Sequence, residues 1–385
     1  ARISNEPNVR QKIISFVVCL LVLLNIPGIL LETKSIAVSS PVSYFTFFLL
    51  GVLIITNKTK FPKQILFMAG ISSLYFFIGA FQYEGSFIEL FIVFIKFLLY
   101  LFGLFISLHY INQNTIILLL LAGATTIILD SLYFRFNDFQ GIGFISQYGR
   151  YSGFYLNPNN ASFVCSLGYV LTLTQKNNIK FLAILFTFFG FLTLSRTFMG
   201  SWIIITSIYL FLNRKYLVKS IFILIISGFI LVQFSEQLKL DLTRFEFLTN
   251  LFLGNIDQEV LNNDSRSSQW AKFYDGIANS PIIGNGYSSF GNSLDDQGDA
   301  GVHNSFLLIL GESGFLPFSL ILALFVSLLY RSWTIIRQNI MPFLLIISLI
   351  ITLMVSHVLF SSGIQIFILV FIIYNLTKKT ANKLV

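Results

Sequence analysis

Apolar runs follow one another along almost the whole of this chain, each about 17 to 25 residues long and so able to cross a hydrocarbon core of roughly 30 Å as a helix. A chain with that pattern is an integral membrane protein. The rest of the composition agrees: only 11% of its 385 residues are charged and its mean hydropathy is +0.79, whereas an ordinary soluble domain carries about 25% charged residues. The expected fold class is all-α, with about 12 transmembrane helices and one large extracytoplasmic loop.

Reading the runs of low polarity places helices at 13–31, 36–56, 65–81, 87–110, 115–134, 156–174, 179–195, 198–212, 217–234, 303–330, 340–357 and 361–376. This divides the chain into nine transmembrane helices over residues 1–234, an extracytoplasmic loop with a helix of its own over 235–302, and three more transmembrane helices over 303–385. Orientation follows from the basic residues near the ends of spans. With the N-terminus inside, the inner face collects Arg2, Arg10, Lys12, Lys58, Lys60, Lys63, Lys176, Lys180, Arg214, Lys215, Lys219, Arg331, Arg337, Lys378, Lys379 and Lys383. The outer face keeps only Lys34, Arg135, Arg150 and Arg196 in its short loops. Both termini are then cytoplasmic and the long loop faces outward. The net charge of +8 is accounted for by topology and does not point to nucleic acid.

The basic residues that break this pattern carry more information. Arg150, Arg196 and Arg266 lie on the outer side, where each needs an anionic partner. A lipid headgroup or a carboxylate such as Asp138 could serve any one of them, and a shared anionic ligand would serve all three. In the fourth run Glu89 and Lys96 are spaced to share a helix face, as a mutual ion pair, as a partner set with Asp130, or with Lys96 reaching an anion; ionisable groups at such depth usually face a bundle interior or a cavity. Cys19 and Cys165 sit in apolar runs without metal-type spacing and read as buried bystanders.

Before the sixth run, Arg150 is followed by Asn157-Pro158-Asn159-Asn160. Pro158 suits the first turn of a helix and Asn157 its cap, and the free amides of such a helix start suit an anion. The seventh run ends in Ser195-Arg196-Thr197, a tight outer turn. In the long loop, Glu236 to Asp299 hold ten acids against four bases, so any anion site there is local. Asp264 or Ser265 can cap a helix with Arg266 on its first turn and Trp270, Phe273 or Tyr274, and Ile277 at helical spacing. Pro281 stops it. The acids Asp295, Asp296 and Asp299 resemble a magnesium-binding run, but their Gly, Asn and Ser surroundings favour a loop. His303 then opens the tenth run, with Leu307, Leu310 and Gly314 on its face.

Taken together, these residues resemble the O-antigen ligase and O-antigen polymerase superfamily of bacterial envelopes. The likeness rests on Arg196 in a Ser-Arg-Thr turn, Arg266 opening the loop helix, His303 with Gly314, the segment Ser280 to Tyr287, and Arg150 with Asn157-Pro158-Asn159, over about residues 145 to 330. The resemblance implies a GT-C-like, inverting glycosyltransferase of lipopolysaccharide biosynthesis in the bacterial cytoplasmic (inner) membrane, multi-pass, with its active site facing the periplasm. It implies Arg196, Arg266 and His303 as catalytic residues, and Arg150, Asn157, Asn159, Trp270 and Glu312 as substrate contacts. The pyrophosphate of the donor needs cations more than a general acid, so no metal and no cofactor is expected. His303 can orient and deprotonate the acceptor hydroxyl, since histidine titrates near working pH. The implied partners are an undecaprenyl-pyrophosphate-linked glycan donor, a glycan acceptor (a lipid-linked repeat unit or lipid A core) and membrane lipid, with room for a chain-length regulator protein. The acidic loop, poor in bases to hold a phosphorylated core, favours the polymerase over the ligase. A lipid-oligosaccharide flippase would show internal repeats, and the two halves of this chain are unlike.

Overall fold

The computed structural model describes residues 9–33, 36–136, 150–175, 178–214, 266–291 and 301–381. Fifteen α-helices and no strand occur among these residues. In chain order they are α1 (Val9–Leu23), α2 (Ile26–Thr33), α3 (Ile36–Thr56), α4 (Lys63–Ala80), α5 (Phe87–Ser107), α6 (Gln113–Phe136), α7 (Pro158–Leu173), α8 (Leu182–Leu192), α9 (Arg196–Leu212), α10 (Arg266–Ala271), α11 (Tyr274–Asn279), α12 (Ser305–Ser313), α13 (Phe315–Thr334), α14 (Met341–Leu353) and α15 (Gly363–Ala381). Short 3-10 turns lie at Gly153–Tyr155 and Asn178–Phe181. The run expected at 217–234, the loop acids Glu236 to Asp264, Asp138, and Asp295, Asp296 and Asp299 lie outside the described residues.

Among the described residues, five helices, α3, α4, α5, α6 over its Gln113–Leu132 part, and α13, are long and apolar enough to cross a membrane. Helices α8, α9, α14 and α15 are apolar but shorter. The core forms where α5 packs on α1, α3, α4 and α15, and where α7 packs on α6, α8, α9 and α14. Around it the exposed side chains of α3 and α5 are themselves apolar: Phe48, Phe87 and Ile88 are each about two-thirds exposed, at 65%, 68% and 70%. Such a perimeter suits a hydrocarbon solvent and would be a large adhesive patch in water.

Two expected spans are broken. The run 13–31 divides at Asn25, whose φ of 52° is left-handed, a conformation asparagine tolerates better than most residues. The break frees the Leu23 carbonyl, which accepts from the Tyr155 hydroxyl at 3.0 Å, and the Asn25 side-chain amide donates to the Phe154 carbonyl at 2.9 Å. The run 303–330 divides at Gly314, with φ 77° and ψ −169°. There the last carbonyls of α12 turn outward to a crossing segment, since the Asn285 and Gly286 amides donate to the Gly311 and Glu312 carbonyls at 2.7 and 3.1 Å. The Phe315 amide in turn donates to the Pro281 carbonyl at 2.9 Å. Segment 281–287 is thus strapped across the end of α12, and its Tyr287 amide continues to the Gly79 carbonyl of α4 at 2.8 Å.

Candidate active site

Five irregular or helix-opening segments meet at one cavity of about 540 Å³. Its wall is formed by Arg150 and the α7 start (Asn157, Asn159, Asn160), the α9 start (Arg196, Thr197), Gln269 of α10, His303, and the link after α14 (Val355, Ser356, His357, Val358). Most of these groups are polar.

The local reasons for each position can be read from the hydrogen bonds. Asn157 caps α7, its side-chain oxygen accepting from the Asn159 amide at 2.8 Å, with Pro158 in the first helical position. Asn159 accepts from the Ser195 hydroxyl at 2.9 Å. That bond ties the residue before Arg196 to the α7 start, so the two outer turns stand side by side. Before α7, the Ser152 and Gly153 amides donate to Asp130 of α6 at 3.1 and 3.0 Å, which fixes the chain just after Arg150. Lys96, by contrast, lies over the Phe47 ring at 5.6 Å and is not among the residues that line the cavity. Cys19 and Cys165 are buried free thiols.

His303 precedes α12 and does not belong to it. Asn304 is the cap, accepting from the Phe306 and Leu307 amides at 2.9 and 3.2 Å. His303 itself has φ 44°, a left-handed conformation that costs a residue with a Cβ about 1–2 kcal/mol. That cost is tolerated because both neighbours are fixed: Val302 donates to the Phe290 carbonyl at 3.1 Å and Asn304 is the helix cap. The result directs the imidazole to the cavity.

The loop helix is two short helices. They part at Phe273, which is 4% exposed and packs on Phe290 with ring centroids 5.2 Å apart, while Tyr274 is 49% exposed. Trp270, Ile277 and Leu307 close a small apolar core with Phe273, Phe290, Val302 and Leu308. Arg266 opens α10 one turn before Gln269, which faces the cavity; the Arg266 side chain lies outside the described residues. Trp270 belongs to the small core and is not among the cavity residues, although its indole N–H is buried without a hydrogen-bond partner among the described residues.

Glu312 also stands apart from the cavity. It is 1% exposed and accepts from the Tyr75 hydroxyl of α4 and from the Phe290 amide at 3.3 Å, with further backbone bonds from Ser288 and Gly291. A carboxylate with that many donors is a clamp between α4, α12 and segment 288–291. Tyr287, on the strap outside the helices, has its phenol pushed up to about 12, chiefly by burial and then by Glu312 and Tyr83.

The ionisable residue of the wall that the sequence does not single out is His357. His357 falls at the end of the expected run 340–357, yet α14 stops at Leu353 and leaves His357 in the link to α15. Its ring lies 4.9 Å from that of His303, at 54°. The available signal was a group of polar residues, Ser356, His357, Ser361 and Ser362, beside two apolar runs.

The segments that form the site lie beside the interiors of candidate spans. Tyr155 reaches Gly123 in mid α6, where any Cβ would overlap its hydroxyl, and the Phe360 ring is 5.2 Å from Phe97 in mid α5. Backbone without helical bonding is tolerated at such a level only where protein buries it or a polar cavity adjoins it. Both conditions are met here.

No curated protein matches the chain. The family model described as O-antigen ligase matches residues 181–322, the stretch that carries Arg196, Arg266, His303, Glu312 and Gly314, so that part of the chain is similar to the O-antigen ligase family.

Proposed function

We propose that the chain is an O-antigen polymerase: an inverting glycosyltransferase that moves an undecaprenyl-pyrophosphate-linked glycan onto a sugar hydroxyl of another lipid-linked repeat unit. In this reading it crosses the bacterial inner membrane about twelve times, residues 235–302 form the periplasmic loop, and the site opens on the periplasmic side. The observation that carries the proposal is the single cavity onto which Arg150, Arg196, Asn157, Asn159 and His303 converge.

Each group then has a task. Arg196 and Arg150, with Arg266 at the start of α10, balance the charge that grows on the pyrophosphate as it leaves, through charge-assisted and bidentate hydrogen bonds. Asn157 and Asn159 hold neutral oxygens of the substrate. His303 accepts the proton of the acceptor hydroxyl as its oxygen bonds to the anomeric carbon. The bond from that carbon to the pyrophosphate oxygen breaks on the opposite face, its electron pair leaves with the pyrophosphate, and the anomeric centre inverts. The proton passes from His303 to solvent.

The test uses purified protein in vesicles with lipid-linked repeat units alone, without nucleotide sugar or lipid A core and with a chelator present. Ladders of longer lipid-linked glycan are expected, and are lost in His303→Ala. A single transfer that occurs only on adding lipid A core would make the protein a ligase. Lipid crossing the bilayer without any covalent product would make it a transporter, and a requirement for magnesium would return Asp295, Asp296 and Asp299 to the site.

A further inference from the structure

We propose that His357 is the positioning partner of His303, sharing the proton that His303 takes from the acceptor hydroxyl. The proposal rests on the transferase reading and adds to it a residue beyond the segment matched by the family.

The two imidazoles are brought together by a built framework. The Ser305 hydroxyl, two residues after His303, donates to the carbonyl of Ser356, the residue before His357, at 2.7 Å. Ser356 is 8% exposed, and its own hydroxyl donates to the Thr352 carbonyl at 3.0 Å and accepts from the Gln365 amide at 3.0 Å. These bonds tie the start of α12, the end of α14 and the start of α15 to one another. With His303 held in a left-handed conformation on one side and Ser356 bonded on the other, the ring separation of 4.9 Å is a property of the fold. Both rings face the same cavity.

The charges around the pair favour one proton at most. The other ionisable side chains of that wall are Arg150, from the segment before α7, and Arg196, from α9; the wall residues of α10 and of the 355–358 link other than His357 are uncharged. Two cationic imidazoles beside two guanidinium groups would repel strongly. Burial lowers the pKa of His357 below the usual histidine value, so it enters the reaction neutral. A neutral imidazole carries one N–H and one lone pair. The Nδ1 of His357 is buried and has no hydrogen-bond partner among the described residues. An imidazolium that forms at His303 has this neutral ring beside it, 4.9 Å away between centroids, as the neighbour that stabilises it. When the acceptor oxygen bonds to the anomeric carbon, its proton is spread over the two rings and then lost to water. The pair returns to neutral, and no oxidant or other reactant is needed.

The experiment compares the wild type with His357→Phe and His357→Asn in the vesicle assay. Phenylalanine keeps the ring packing and removes both nitrogens; asparagine returns a polar group near the Nδ1 position. For His357→Phe the expected result is a kcat lower by roughly tenfold or more, with the donor KM unchanged. Its acid limb should lie at lower pH, because the His303 imidazolium has lost its stabilising neighbour. His357→Asn should recover part of the kcat. A His357→Phe protein with wild-type kcat and an unmoved limb would overturn the proposal while leaving the transferase reading intact. So would an equal loss in both variants with an unmoved limb, since that is the signature of packing alone. If the wild type forms no glycosidic bond, the transferase reading and this one fall together. Elution as a single folded species guards against a variant that does not fold, and His357→Gln replaces any that fails.

Discussion

The break at Gly314 makes the most direct test of how the fold reaches the site. Gly314 adopts φ 77° and ψ −169°, a region open in practice only to glycine, so that another residue there costs about 1–3 kcal/mol in backbone strain. A Cβ at this position would also overlap the Ile282 carbonyl and stand 2.7 Å from the Ile283 amide nitrogen. Those neighbours are backbone atoms of the strap and cannot rotate away. Relief requires the strap to move from the end of α12, which threatens the Phe315 to Pro281 and Asn285 to Gly311 hydrogen bonds at 2.9 and 2.7 Å. Each is worth about 0.5–1.5 kcal/mol, so strain and lost bonds together come to about 2–6 kcal/mol for Gly314→Ala. The matched control is Gly200→Ala in α9, where a new Cβ meets nothing within 4 Å and should stabilise the helix by up to about 1 kcal/mol. Thermal unfolding in detergent, followed by loss of the monodisperse peak, should place Gly314→Ala at least about 2 °C below wild type, and Gly200→Ala at or above it. Glycan transfer should fall in the first and persist in the second, because the strap positions the loop helices that bring Gln269 to the cavity. Equal unfolding temperatures and equal transfer would refute the claim that the strap depends on this glycine.

Two further outcomes bear on the site and its side of the membrane. Arg196→Ala and Arg266→Ala should each lower transfer by at least about tenfold, as expected from losing a charge-assisted hydrogen bond of roughly 1.5–3 kcal/mol, and Arg→Lys should recover only part because lysine lacks the bidentate fork; near-normal product from a folded Arg266→Ala protein would remove that residue from the mechanism. Cysteines placed at Ser267 and Lys379 should react with an impermeant thiol reagent in intact cells at Ser267 alone, and labelling at Lys379 would reverse the orientation.

What could be read from the sequence was set by how local each signal is. The helices themselves were legible because a long apolar run needs no partner to be recognised: run 36–56 coincides with α3, and run 198–212 begins within two residues of α9. The cap at Asn157 and the turn at Arg196 were legible for the same reason, since asparagine, proline and serine act on the backbone next to them. The breaks were not. Nothing local forces the helix to stop at Gly314; it stops because the strap takes up the carbonyls of Gly311 and Glu312. Asn25, with Pro27 and Gly28 behind it, did leave a trace in the sequence, but one outweighed by the hydrophobicity around it.

The same distinction separates His303 from Glu312 and His357. All three are ionisable groups near apolar runs, and spacing along the chain put Glu312 closer to His303 than His357 by forty-five residues. Distance in the chain misleads here, because α12 carries Glu312 away toward Tyr75 of α4, while the short α14 ends early enough to return His357 to the cavity. A 13-residue helix rises only about 20 Å, less than the roughly 30 Å of a hydrocarbon core. The link that follows therefore has to find hydrogen bonds within the protein. It finds them at Ser305 and Gln365, and those two bonds fix the segment that holds the second imidazole against the first.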